Sequence, residues 1–114
     1  MPSREWSFRI EDILNSIDTI QGYTEGMTLE EFVADRKTVD AVIRQFAIIG
    51  EAACHVPEDI CLAHPEIPWK EMRAMRNYIV HVYFGVKDQI IWETVQKDIP
   101  SLPPLLRKLI SSPQ

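Results

Sequence analysis

KTVDAVIRQFAIIGEAACH, residues 37–55, is the stretch that decides the fold class. At about 100° per residue, Val39, Val42, Ile43, Phe46, Ile49 and Ala53 fall on one face, the pattern of a helix that buries one side. Gly50 lies on that same face. Glycine inside a helix costs up to about 1 kcal/mol relative to alanine, so its place here predicts close approach by another backbone. Pro57 stops the pattern.

Upstream, Trp6, Ile10, Ile13, Leu14, Ile17 and Ile20 repeat at three-and-four spacing over residues 5–21, while Arg9, Glu11, Asp12 and Asp18 fall off that face. Gly22 suits a C-terminal stop. Thr28 and Glu31 have the spacing of a capping box for a short helix through about Ala34. Downstream, Pro57-Glu58-Asp59 reads as the first turn of a short helix ending before His64-Pro65. Pro68 opens a long helix through about Tyr83, with Gly85 as breaker. Asp88 is placed to cap a segment through about Gln96, and Ser101 with Pro103 and Pro104 to start a last helix ending near Ile110. No alternating apolar and polar run persists as a strand. The expectation is an all-α fold, an antiparallel up-down bundle of four to five helices in one domain over residues 1–114.

Composition agrees. The chain has 114 residues, 46% apolar and 25% charged, an ordinary globular mixture that excludes disorder. No window approaches 18 consecutive apolar residues, so no membrane span is expected. The N-terminal residues lack the apolar core of a signal peptide, which makes a cytoplasmic location the expectation. Cys54 and Cys61 read as reduced thiols, Cys54 near the apolar face of its helix. With His55 and His64 they hint at zinc, but the spacing matches no familiar finger, and neither a metal nor a cofactor is expected. The net charge of -5 argues against a general nucleic-acid coat and leaves room for a local phosphate site.

The chemistry-bearing segment is Arg76-Asn77-Tyr78-Ile79-Val80-His81-Val82-Tyr83. On an ideal wheel, Met72, Met75, Ile79 and Val82 form the apolar stripe, and Arg76 and Tyr83 fall within about 40° of its edge. Asn77 and His81 stack on the opposite, more polar side. An arginine beside a core stripe needs an acceptor, and Glu51 on the central helix or a ligand phosphate would serve. Arg76 and His81 lie about 140° apart. To meet at one atom, the helix must loosen, the arginine must wrap round, or a second subunit must complete the site. The plain alternative is a structural ion pair at Arg76 and a solvent-facing His81.

These eight residues resemble the R-x-x-x-x-H-x-Y motif of HEPN domains. Further stretches resemble its HepT-like branch, toxin partners of minimal nucleotidyltransferases: His64-Pro65-Glu66-Ile67-Pro68-Trp69-Lys70-Glu71-Met72 as the lead-in, Ile48-Ile49-Gly50-Glu51-Ala52-Ala53 as the central helix, and residues 91–102 as the ending. The resemblance implies a metal-independent endoribonuclease that forms a homodimer, with two motifs facing one cleft. It implies attack on RNA by the 2'-hydroxyl, leaving 2',3'-cyclic phosphate ends. In that scheme His81 does acid/base work, Arg76 holds phosphate oxygens, Asn77 orients a neighbour, and Tyr83 donates to phosphate or stacks on a base. It further implies a cognate nucleotidyltransferase antitoxin that attaches AMP to a motif tyrosine. Tyr78, at about 240° on the wheel and away from the stripe, is the expected acceptor over Tyr83. The rival reading is a non-enzymatic HEPN-type subunit of a nucleotidyltransferase complex that binds nucleotide or nucleic acid without cutting it.

Of the remaining side chains, Phe8 and Ile48 point off their helices' core faces and read either as single exposed hydrophobes or, with the acidic surface, as a contact with a subunit or the antitoxin. Trp69 and Trp92 are expected as core anchors. Lys70, Arg73, Lys87, Arg107 and Lys108 read equally as a basic rim or as solvated surface.

Overall fold

The central stretch forms α3 (Arg36–Cys54), and the six apolar residues of its face are all buried. It packs along α1 (Pro2–Thr24), where Ile10, Ile13, Ile17 and Ile20 are completely enclosed. Burying each such side chain is worth about 1.5–3 kcal/mol, so this pair of helices forms the backbone of the core. The computed structural model describes residues 2–78 and 87–111, and these are helical, with no strand among them. The bundle is all-α, as expected, and none of its described helices is long and apolar enough to cross a membrane.

Gly22 does not end α1. The helix runs on to Thr24, whose hydroxyl donates to the Ile20 carbonyl at 3.0 Å. The reversal comes instead at Gly26, where φ is +75°, a left-handed conformation that glycine adopts without steric cost. The capping box at α2 (Leu29–Ala34) is present in both directions. The Glu31 amide donates to the Thr28 hydroxyl at 3.1 Å, and the Thr28 amide donates to the Glu31 carboxylate at 2.9 Å. Asp35 caps α3 by accepting from the Thr38 amide and hydroxyl at 3.2 and 2.8 Å. Those bonds, the hydroxyl's first, hold its carboxyl below the ordinary aspartate range.

α4 (Glu58–Ala63) starts after Pro57 and α5 (Trp69–Ala74) after Pro68. The indole of Trp69 is buried and donates to the His64 carbonyl at 3.1 Å, an anchor as expected. The long helix expected from Pro68 is not continuous. α5 tightens into a 3-10 turn at Met75–Asn77, and residues 79–86 lie outside the described residues.

The C-terminal run also departs from expectation. α6 (Asp88–Glu93) begins after Lys87, and Asp88 does not cap it. Its carboxylate accepts from both terminal nitrogens of Arg36 at 3.1 and 3.3 Å and ties α6 to the start of α3. The chain then widens into a π turn at Thr94–Asp98, tightens into a 3-10 turn at Ile99–Ser101 and enters α7 (Leu102–Ser111). Pro100, Pro103 and Pro104 have no amide to donate to the preceding turn, so a regular α ladder cannot cross this stretch. The last helix begins directly after Ser101 and ends one residue past Ile110, as expected, although the Ser101 hydroxyl donates back to the Asp98 carbonyl at 3.0 Å. α7 packs on α1, and α6 packs on α2 with Trp92 tilted against Phe32 at 5.2 Å.

Candidate active site

The predicted close approach at Gly50 is present, and its partner is the motif itself. A Cβ at Gly50 would collide with the Arg76 amide nitrogen, and it would sit 2.8 Å from the Arg76 Cβ and 3.0 Å from the Arg73 carbonyl. Absence of a side chain at one position therefore lets residues 73–76 lie directly on α3. Glu51, the next residue, then faces Arg76, with a carboxylate oxygen 3.6 Å from the guanidinium.

The ion pair expected between Arg76 and Glu51 is thus found, but in a different setting. Arg76 flanks the buried Met72 and Met75, but its guanidinium stays out of the core. Its side chain is 51% exposed and that of Glu51 59%. A pair so open contributes at most about 1 kcal/mol. Its effect is to orient a guanidinium that remains half open to solvent, where a phosphate can reach it. The second Glu51 oxygen lies 3.6 Å from His55 Nδ1, and the same nitrogen is 2.9 Å from the Glu51 carbonyl. Glu51 therefore bridges Arg76 and His55. Sequence reading weighed His55 only for zinc; the available signal was its four-residue spacing from Glu51.

Asn77 is exposed, as its place on the polar side implied. Tyr78 is not where the wheel put it. Its ring meets Phe46 of α3 edge-on at 5.0 Å and 85°, and its hydroxyl is 3.3 Å from the Thr94 hydroxyl, which itself donates to the Ile90 carbonyl at 2.9 Å. The cause is the 3-10 turn, which advances about 120° per residue instead of about 100°, adding about 60° over three residues. On the ideal wheel Tyr78 stands about 40° from the stripe's edge, and that rotation carries it onto the stripe. A cavity of about 320 Å3 lies beside it, between Met72 and Met75 on one wall and Thr94, Asp98 and Ser101 on the other. His81 and Tyr83 lie outside the described residues.

Arg73 belongs to the structure of the bundle. It donates to the buried Cys61 sulfur at 2.9 Å and lies 3.7 Å from Glu58. Burial pushes the Cys61 thiol up, and the Arg73 charge opposes that shift. Cys54, expected near the apolar face, is exposed instead, because it lies at the C-terminal edge of α3. Among the described residues no group of three or more His, Cys, Asp or Glu side chains is arranged to hold a metal ion. Lys70, Lys87, Arg107 and Lys108 are exposed. Phe8 and Ile48 are exposed as anticipated, at 61% and 36%.

Comparison with known proteins adds the family. The model described as "Ribonuclease HepT-like" matches residues 13–109. A Thermococcus cleftensis protein named "Probable ribonuclease HepT" is 47% identical over 100 residues, covering 88% of this chain and 91% of its own. A Methanocaldococcus jannaschii protein named "Putative RNase" is 40% identical, covering 89% of this chain and 84% of its own. One of the same description from Caldanaerobacter subterraneus subsp. tengcongensis is 37% identical, covering 89% and 90%. No solved structure matches the chain.

Proposed function

The chain belongs to the HepT-like ribonuclease family, and from that premise we propose that it is a metal-independent endoribonuclease, the toxin of a toxin–antitoxin pair, acting through Arg76, Asn77, His81 and Tyr83. The observation that carries the reading is the setting of Arg76. Gly50 brings its backbone onto α3, a Glu51 carboxylate oxygen stands 3.6 Å from its guanidinium, and half of its side chain stays open. A guanidinium held in this way suits the non-bridging oxygens of a phosphodiester, whose charge grows as the 2'-hydroxyl attacks. His81 takes the proton from that hydroxyl or returns one to the leaving oxygen, the acid/base work an imidazole can do. Asn77 is exposed one residue from Arg76 and supplies an amide donor. Tyr83 donates to phosphate or stacks on a base. A homodimer would set two such motifs across one cleft.

Control by a nucleotidyltransferase partner follows the same electrostatics. AMP on a motif tyrosine brings negative phosphate to a site that must attract RNA phosphates. Tyr78 stays in the proposal as acceptor, with the condition that its hydroxyl first leaves Thr94; Tyr83 is the other candidate. Mass spectrometry after mixing with the partner enzyme and ATP assigns the site, and AMP on Tyr83 alone overturns the choice of Tyr78.

The deciding experiment is cleavage of total RNA by the purified protein beside Arg76→Ala and His81→Ala variants, with product ends mapped. The expected result is 2',3'-cyclic phosphate ends and a loss of about 100-fold or more in each variant. Ends bearing 5'-phosphate, or equal cleavage of DNA, overturn the mechanism. Growth arrest on expression, relieved by His81→Ala, is expected of the toxin. Its absence, together with RNA binding without cleavage, would favour a non-enzymatic binding subunit.

A further inference from the structure

On the outer side of the α1–α3 pair, two ridges run next to each other. α1 presents Phe8, Arg9 and Asp12, and α3 presents Arg44, Ile48 and Glu51, followed by His55 at its C-cap, at intervals of four, three and four residues, which keep them on one side. Between the ridges lie two grooves. One, of about 400 Å3, is lined by Arg9, Asp12, Arg44, Ile48 and Glu51. The other, of about 280 Å3, is lined by Phe8, Arg9, Asp12 and His55. Arg9 and Asp12 line both, so the grooves are neighbours, and Glu51 of the first stands 3.6 Å from the Arg76 guanidinium.

We propose that this face is a binding track for single-stranded RNA, in which Phe8 stacks on a base while Arg9, Arg44 and His55 hold phosphates of the strand that leads to Arg76. The proposal rests on the ribonuclease reading and extends it to residues outside the motif. Three observations carry it. Phe8 is 61% exposed, an aromatic ring with an open face. Arg9 and Arg44 form no ion pair among the described residues, in a chain whose net charge is -5. Exposed aromatics interleaved with cations are the means by which proteins hold unpaired strands, because every base offers a π face and every nucleotide a phosphate. Arg44 and His55 are eleven residues apart, about 16 Å along the helix, which suits a strand rather than one phosphate. Glu5, Asp12 and Glu51 line the same grooves, three carboxylates beside two arginines, so stacking at Phe8 matters more than net charge and the arginines act as local phosphate contacts.

The test uses a fluorescein-labelled 12-mer with 2'-O-methyl groups, which block the attacking hydroxyl, and reads binding to the whole protein by anisotropy. Phe8→Ala and Arg44→Ala are each expected to weaken binding about tenfold, and Phe8→Trp to retain it. In Arg9→Ala/Arg44→Ala the slope of log K against log salt falls by about 1.4, from about 0.7 per phosphate contact on a single strand. Unchanged affinity and slope in these variants overturn the track. So does a loss of affinity that accompanies dissociation of a dimer in sedimentation, since the face would then cover a second copy of the chain. Trimming of the blocked 12-mer would sink the 2'-hydroxyl chemistry instead, while the initial anisotropy still reads the track.

Discussion

α3 meets its two main neighbours by different means. Toward α1 the contact is made of side chains, with enclosed isoleucines at 10, 13, 17 and 20 packed in one core with Val39, Val42 and Phe46. Toward residues 73–76 it is made of backbone, at Gly50, where even a methyl group has no room. The first contact spreads its energy over many atoms and accepts small shifts. The second concentrates position at one point and passes it directly to Arg76. Stability and geometry are thus carried by different contacts along one face of the same helix.

Cutting into the side-chain contact has the largest expected effect on stability. Ile13→Ala is expected to lower the unfolding free energy by about 3 kcal/mol in urea titrations, while the protein that stays folded still cleaves RNA. A change below about 1 kcal/mol would deny α1 its place in the core. Gly50→Ala is expected to cost less, about 2 kcal/mol for overpacking, yet to reduce cleavage more than tenfold, because the methyl displaces Arg76. If that variant matched the parent in both stability and rate, the contrast between the two contacts would break. Thr28→Ala, remote from both, removes half of the capping box and is expected to cost about 1 kcal/mol with cleavage unchanged. Arg36→Ala, which frees Asp88, is expected to cost under 1 kcal/mol, since the Arg36 side chain is 56% exposed. Raising ionic strength shrinks that last difference, and a salt-independent loss would assign Arg36 a packing role instead.

The features legible in the sequence are those set by neighbours along the chain or by a misplaced residue type. The capping box at Thr28 and Glu31 is local, and both of its hydrogen bonds are present. Gly50 stood out because a glycine on a buried helical face calls for an explanation, and the structure supplies one. Tyr78 was misplaced because the wheel assumed a uniform advance, and three residues of 3-10 turn rotate everything after Ala74. Asp88 looked like a cap because its partner, Arg36, lies 52 residues away. The π turn at Thr94–Asp98 left no mark on the apolar pattern, although Pro100 was a visible hint that the ladder would fail. Of the candidate site, the Arg76–Glu51 pair was foreseen. His55 was overlooked because a histidine four residues beyond a glutamate has no distinctive pattern.

The indoles give this molecule its own optics. Trp69, bonded to the His64 carbonyl, reports from the segment leading into the motif, and Trp92, tilted on Phe32, reports from the seam between α6 and α2. Trp6 is buried near the start of α1. Exchanging any two for phenylalanine leaves a single emitter, so three spectra can time the release of three seams and reveal whether they part together or one by one.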